Sequence, residues 1–133
     1  MRFTARDAGV EENEEDDFLD VWMAEGGDPS GIGFSFQCAL HEVDQDEVDM
    51  GLDSYCVATQ NGATVYGPVR AAEFDENVLI LTFAPDDADL LRTSERVEIV
   101  LAVGADQLAA IKHALRRVLS WGRSSSVPSF TGF

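Results

Sequence analysis

Apolar and polar residues alternate along several short stretches of the chain, as they do in strands with one buried face. The clearest alternation runs through residues 33–41, where Phe34 and Phe36 share one face, and it returns at residues 97–103. Residues 78–83 are instead almost wholly apolar, which is typical of a strand in the middle of a sheet. These stretches predict a sheet that supplies most of the core.

A further segment, residues 55–60, is β-prone and is closed by the strong turn dipeptide Asn61-Gly62. We predict that it pairs antiparallel with the strand at 33–41. Two registers fit the sequence. One places Cys38 opposite Cys56. The other is slipped by one residue and places the side chains at positions 55 and 57 on the core face.

Other segments extend the sheet or connect its strands. We predict a short strand at residues 1–6 and a strand at 64–74 that bends at Gly67-Pro68, because proline cannot donate to a strand ladder. The acidic run 11–17 predicts a solvated loop or turn. Residues 26–31 combine glycine, proline and aspartate, which predicts a loop between strands.

The last regular element is predicted to be an amphipathic helix that starts near Asp106 and ends before Gly122. Its apolar residues recur at helical spacing: Leu108, Ile111, Leu115, Val118 and Leu119. Its basic residues cluster in the second half: Lys112, Arg116 and Arg117. Positive charge there complements the helix C terminus and can screen an acidic neighbour.

Together these elements predict one α+β domain over residues 1–122. We expect a mainly antiparallel sheet of about six or seven strands with the C-terminal helix packed on it. A length of 133 residues favours one core over two marginal ones. The Ser- and Phe-containing tail at 123–133 is expected to be mobile, unless Phe130 and Phe133 dock on the domain.

Negative charge is the property that departs most from the average. The formal charge is −16, and residues 1–60 carry 16 acids against 2 bases. This excess disfavours nucleic acid and anionic membrane as partners, and it favours a basic protein. The alternative is that the charge only keeps the domain soluble.

Location follows from what the sequence lacks. The first ten residues contain no apolar run of signal-peptide length, and no apolar stretch is long enough to span a membrane. We therefore expect a cytoplasmic protein in which Cys38 and Cys56 are reduced and act as small apolar residues.

Candidate chemistry is sparse. Asp44, Asp46 and Asp49 suggest calcium, but an EF-hand counted from Asp44 needs glycine and glutamate where Asp49 and Tyr55 stand. The two histidines lack zinc-ligand spacing, and no serine lies in a nucleophile elbow. We expect no metal, no cofactor and no enzymatic activity.

The order of features from about residue 34 to 119 resembles the immunity protein 10 family of bacterial polymorphic-toxin systems. The motifs that carry the resemblance are Phe36-Gln37, Met50-Gly51-Leu52-Asp53, Tyr55 leading to Gln60, Tyr66-Gly67, and Ala114 to Leu119 in the terminal helix. Val57 and Pro68 depart from the family pattern. The resemblance implies a non-enzymatic antitoxin that neutralises a toxin domain by tight, stoichiometric binding.

An acidic surface suits that role, because toxins that cleave nucleic acids are basic where they hold phosphate. The partner-binding residues that we predict are Asp44, Asp46, Glu47, Asp49, Asp53, Tyr55 and Tyr66. The acids would steer a basic toxin and the tyrosines would supply rigid contact area. The alternatives are a solvated loop for the acids and strand packing for the tyrosines. A general interaction module and a small enzyme remain competing functions, and the oligomeric state is open.

Overall fold

The computed structural model describes residues 1–26 and 31–133, so most of the predicted loop at 26–31 lies outside the described residues. Within them, ten strands and three α-helices confirm the α+β class. The strands are β1 Arg2–Ala5, β2 Asp7–Asn13, β3 Phe18–Ala24, β4 Gly33–Ala39, β5 Cys56–Thr59, β6 Thr64–Tyr66, β7 Val69–Asp75, β8 Val78–Phe83, β9 Arg96–Leu101 and β10 Ser129–Thr131. The helices are α1 Gln45–Met50, α2 Pro85–Leu91 and α3 Ala105–Leu119, and a 3₁₀ turn follows at Ser124–Ser126.

The strands form two five-stranded sheets, where the sequence predicts one sheet of six or seven strands. Sheet 1 has the order β1-β9-β8-β7-β10, and sheet 2 has the order β2-β3-β4-β5-β6. β8 is central in sheet 1, as its apolar composition predicts. The predicted bend at Gly67-Pro68 is the point where the chain passes from sheet 2 to sheet 1.

The acidic run 11–17 was predicted to be a loop or turn, but part of it is a strand. Its first three residues belong to β2, which pairs with β3 along its whole length, from Asp7 opposite Ala24 to Asn13 opposite Phe18. Only residues 14–17 form the turn. β2 is an edge strand whose outer side chains face water, so acids are tolerated there and conceal the alternation that marks other strands.

The pairing of β4 with β5 decides between the two registers. Phe36 lies opposite Val57 and Gln37 lies opposite Cys56, which is the slipped register. Val57 and its neighbour Tyr55 are therefore fully buried on the core face. Cys56 falls on the outer face of sheet 2.

The core lies between the two sheets and α3. Phe34 of sheet 2 stacks between Phe3 and Phe83 of sheet 1, with ring centroids 6.0 and 6.2 Å away. The predicted apolar stripe of α3 packs against β2, β3 and β4, with Ile111 and Leu115 fully buried. None of the described helices has the length and apolar character needed to cross a membrane.

The C-terminal segment docks on the domain through its aromatic rings. β10 pairs in parallel with the edge of β7. Phe133 makes edge-to-face contacts with Phe74 at 4.8 Å and with Phe130 at 5.0 Å. Lys112 and Arg116 of α3 lie over the rings of Phe74 and Phe130, at 4.9 and 4.7 Å from the centroids. The sequence left open whether the tail is mobile or docks through its phenylalanine rings, and in the structure the rings are docked.

Candidate functional site

Two acid-rich segments meet at one end of sheet 2. The turn between β2 and β3 and the helix α1 are far apart in sequence, but His41 lies between them. Its Nδ1 donates to Asp17 of the turn, and its Nε2 donates to Glu47 of α1 at 2.7 Å. We call this region the acidic end, and its carboxylates are Glu14, Glu15, Asp16, Asp17, Asp44, Asp46, Glu47 and Asp49. The acids of these two segments are thus grouped on one region of the surface.

Local capping holds α1 in place. The Asp44 carboxylate accepts a hydrogen bond from the Glu47 amide at 2.8 Å, and the Glu47 carboxylate accepts one from the Asp44 amide at 3.1 Å. This reciprocal capping box satisfies two amides that the first helical turn leaves free. Gly51 ends the helix in the left-handed conformation, at φ 71°. No residue of α1 is buried; Glu47 is half-buried, and the other five residues are exposed, including Met50 at 70% exposure.

His41 is a cation at neutral pH. Hydrogen bonds to Asp17 and then to Glu47 raise the pKa of its imidazole to about 9. His41, Asp44 and Glu47 also bring possible metal-ligand atoms within 4.8 Å of one another. Both imidazole nitrogens donate to carboxylates, and Asp44 caps α1. The possible ligand atoms therefore already have hydrogen-bond partners within the protein, which does not favour a metal.

A cleft of about 400 Å³ opens beside the acidic end. Its floor is the outer face of sheet 2, where Gln37 and Cys56 lie side by side. The turn before β3, the helix α1 and Trp121, two residues after α3, form its walls, and Tyr66 of the edge strand β6 lines the opposite side. The remaining lining residues are Asp16, Asp17, Phe18, Cys38, Ala39, Glu47, Leu52 and Ser54.

Trp121 is the cleft residue that sequence reasoning missed most clearly. Its indole nitrogen donates to the His41 carbonyl oxygen at 2.8 Å, and the two rings meet edge to face with centroids 6.2 Å apart. Phe18 was also missed. Each of these residues stands where a regular element starts or has just ended, so neither takes part in a periodic pattern. The one sequence feature that could have pointed to Trp121 is its position directly before Gly122.

The predicted partner-binding residues divide into two groups. Asp44, Asp46, Glu47 and Asp49 belong to the acidic end, and Tyr66 is 48% exposed at the cleft. The others, Asp53 and Tyr55, are inside the protein.

Asp53 and Tyr55 have structural partners instead. Asp53 is 6% exposed, and its hydrogen bond with Arg123 lowers the pKa of its carboxyl. The Tyr55 hydroxyl accepts from the Val69 amide at 3.0 Å and donates to the Ser126 carbonyl oxygen at 3.2 Å. Both residues are corrections to the predicted contact set, since the slipped register turns this segment inward.

The two cysteines lack the character of nucleophiles. Burial raises the pKa of Cys38 to about 11 and also raises the pKa of Cys56. A thiol is reactive as the thiolate, which these environments disfavour at neutral pH. Both cysteines are free, and they fit the predicted role of small apolar residues.

Comparison with known proteins supports the resemblance noted in the sequence. A family model described as Immunity protein 10 matches residues 4–109, which is most of the chain. No curated protein and no solved structure matches it. Immunity proteins generally act by binding a toxin rather than by catalysis. The chain belongs to the immunity protein 10 family.

Proposed function

We propose that this protein is a cytoplasmic antitoxin that neutralises a cognate toxin domain by stoichiometric binding, and that the toxin surface it covers is basic. Family membership supports the immunity role. The observation that carries the finer proposal is the meeting of the β2–β3 turn and α1 around His41, which concentrates carboxylates at one end of the molecule.

The acidic end has the properties of an electrostatic docking surface. Eight carboxylates lie there, and the His41 imidazolium offsets only one of them. Seven of the eight residues are exposed, and Glu47 is half-buried. Carboxylates grouped in this way steer a basic partner and raise its association rate.

Apolar anchors lie beside the charges. Val48 and Met50 project from α1, and Tyr66 lines the cleft; all three are among the exposed large apolar residues of the described chain. Binding energy in interfaces concentrates in such side chains when a partner buries them. Of the residues predicted from the sequence, Asp44, Asp46, Glu47, Asp49 and Tyr66 remain in the proposed contact surface.

Inhibition would then act by occlusion. A toxin that cleaves nucleic acid must present positive charge to phosphate, and carboxylates that occupy the same groups prevent substrate from binding. No group of the antitoxin needs to react, which agrees with the raised pKa values of Cys38 and Cys56.

The test is binding to the toxin domain encoded beside the gene. We expect a one-to-one complex that abolishes toxin activity, and an association rate that falls steeply with salt. The double variant Asp46→Asn/Asp49→Asn should slow association several-fold. The matched control, Glu73→Gln/Asp75→Asn, removes two exposed acids from β7 and should change the rate little.

Two outcomes would contradict the proposal. One is failure of the purified protein to bind or inhibit the neighbouring gene product. The other is an equal effect of the two double variants, which would mean that net charge matters and the acidic end does not. Capture of a partner unrelated to toxins would instead favour a general interaction module.

A further inference from the structure

The cleft beside the acidic end is lined by three aromatic rings from separate parts of the chain. Phe18 comes from the start of β3, Tyr66 from β6 and Trp121 from the segment that follows α3. The hydrogen bond from its indole to His41 fixes the position of Trp121. Aromatic faces attract cations, and more strongly where water is partly excluded.

Carboxylates surround the same space. Asp16, Asp17 and Glu47 line the cleft, while Asp20 adjoins its floor because it pairs with Gln37 on the outer face of sheet 2. The only cation bound to these carboxylates in the described residues is His41, which leaves the group negative. No lysine or arginine is found in the described lining.

The floor itself is uncharged. Ala39 and Cys56 present short side chains on it, Leu52 lines the cleft with an apolar side chain, and burial keeps the Cys56 thiol protonated by raising its pKa. A long side chain with an apolar stem and a planar cationic head matches this arrangement: the stem covers the floor and the head reaches rings and carboxylates at the rim. Arginine fits better than lysine, because guanidinium stacks on aromatic rings and pairs with carboxylates in a fork.

We infer that the cleft receives one arginine side chain of the partner, so that it is the anchor point of the interface. The inference rests on the proposed function, since the toxin domain would supply that arginine. The acidic end brings the basic surface close, and the cleft fixes its position through one inserted residue.

A peptide tests the cleft without the toxin. Acetyl-Gly-Arg-Gly-amide is titrated into the ¹⁵N-labelled full chain and compared with the same peptide containing citrulline, the uncharged isostere of arginine. We expect saturable shifts at the Cys56 and Tyr66 amides and at the Trp121 indole with arginine alone. Shifts spread evenly over the exposed acids, or none at all, would overturn the inference.

A matched pair of variants tests the cleft in the complex. Ala39→Arg places a guanidinium from the chain itself in the cleft, whereas Ala58→Arg adds the same charge on the same outer face of sheet 2, beside Ser35 and Thr64. We expect Ala39→Arg to abolish the peptide shifts and to weaken toxin binding at least tenfold more than Ala58→Arg. Equal weakening would contradict the anchor while leaving the proposed function intact.

The failure of the two proposals can be distinguished. If the wild-type chain binds the arginine peptide but not the toxin domain, the antitoxin proposal fails and the arginine site stands. If Ala39→Arg does not fold, Tyr66→Leu is tested in its place. Loss of the aromatic ring should weaken peptide and toxin binding roughly twofold to thirtyfold. The control Tyr66→Phe retains the ring and should retain the binding. Unchanged binding by Tyr66→Leu would overturn the inference.

Discussion

The guanidinium of Arg123 binds both carboxylate oxygens of Asp53, at 3.1 and 2.5 Å. The backbone reinforces the pair, because the Arg123 amide donates to the Asp53 carbonyl oxygen at 2.6 Å and Ser54 forms a bridge with Gly122. The segment that follows α3 is thereby joined to the segment that precedes β5. This connection positions Trp121 and the base of the cleft.

The Asp53–Arg123 pair should make stability sensitive to acid. Its hydrogen bond holds the pKa of Asp53 below the ordinary value of 3.8. A carboxyl with a lowered pKa stabilises the fold above its unfolded pKa, and that contribution is lost as pH falls through the folded pKa. We expect Asp53→Asn to lower the Tm at neutral pH by several degrees, and the difference from wild type to narrow as the pH falls below the ordinary value of 3.8.

Thermal unfolding followed by circular dichroism across this range provides the measurement. Asp75→Asn, an exposed acid on β7, is the control and should change the Tm little at any pH. A constant difference between Asp53→Asn and wild type down to pH 2 would show that charge pairing is not its cause.

His41 should contribute stability of the opposite pH dependence. Its pKa is raised from 6.5 to about 9 by Asp17 and Glu47, so the folded state favours the protonated form. The contribution is complete below the unfolded pKa and is lost as pH rises through the folded value. We expect His41→Gln to be less stable than wild type at about pH 6 and nearly equal at about pH 10.

Urea unfolding at both pH values measures this difference, and NMR titration of the imidazole protons gives the pKa directly. His113→Gln removes an exposed histidine of α3 and serves as the control. A His41 midpoint near 6.5 would mean that the bridge between the turn and α1 does not form in solution.

Much of the fold could be predicted because periodicity reports which side chains are buried. The alternation at Phe34 and Phe36 and the stripe through Ile111 and Leu115 appear in the structure as predicted. What periodicity does not report is which strands are neighbours. The acidic residues of β2 conceal the alternation that would identify it as a strand, and β10 is too short to show a pattern.

The candidate site was predicted in part for the same reason. The acids of α1 are local in sequence and face water, so composition alone locates them. The slipped register that buries Tyr55 depends on pairing between strands, and the approach of Trp121 to His41 spans 80 positions. Contacts of that kind depend on topology, which a single sequence does not specify.

The Tyr55 hydroxyl should contribute to stability through its buried partners. It accepts a hydrogen bond from the Val69 amide at 3.0 Å and donates to Ser126, which joins the two sheets to the C-terminal segment. Tyr55→Phe leaves the Val69 amide unpaired and should cost roughly 1 to 3 kcal/mol in the free energy of unfolding. Tyr66→Phe removes a hydroxyl from a half-exposed ring and should cost close to nothing. Similar losses in urea unfolding would indicate that the two hydroxyls are equally solvated.

Gly122 should be the glycine that tolerates substitution least near the cleft. It has φ +91°, and a Cβ there would lie 2.8 Å from the Asp53 carbonyl carbon. Gly51, at φ +71°, has no atom within 4 Å of its Cβ position. Gly51→Ala should therefore cost only the left-handed strain, about 1 kcal/mol.

Gly122→Ala carries the same strain and also forces the Asp53 backbone away, which breaks the Ser54–Gly122 bridge and the Arg123 pair. We expect roughly 3 kcal/mol or more from urea unfolding, with faster amide exchange in β10. Because Trp121 precedes Gly122, the variant should also disturb the cleft and weaken toxin binding, whereas Gly51→Ala changes only the end of α1. Equal losses in the free energy of unfolding for the two variants would mean that the Asp53 backbone moves aside freely. The connection between the segment after α3 and the segment before β5 would then not be what positions the cleft.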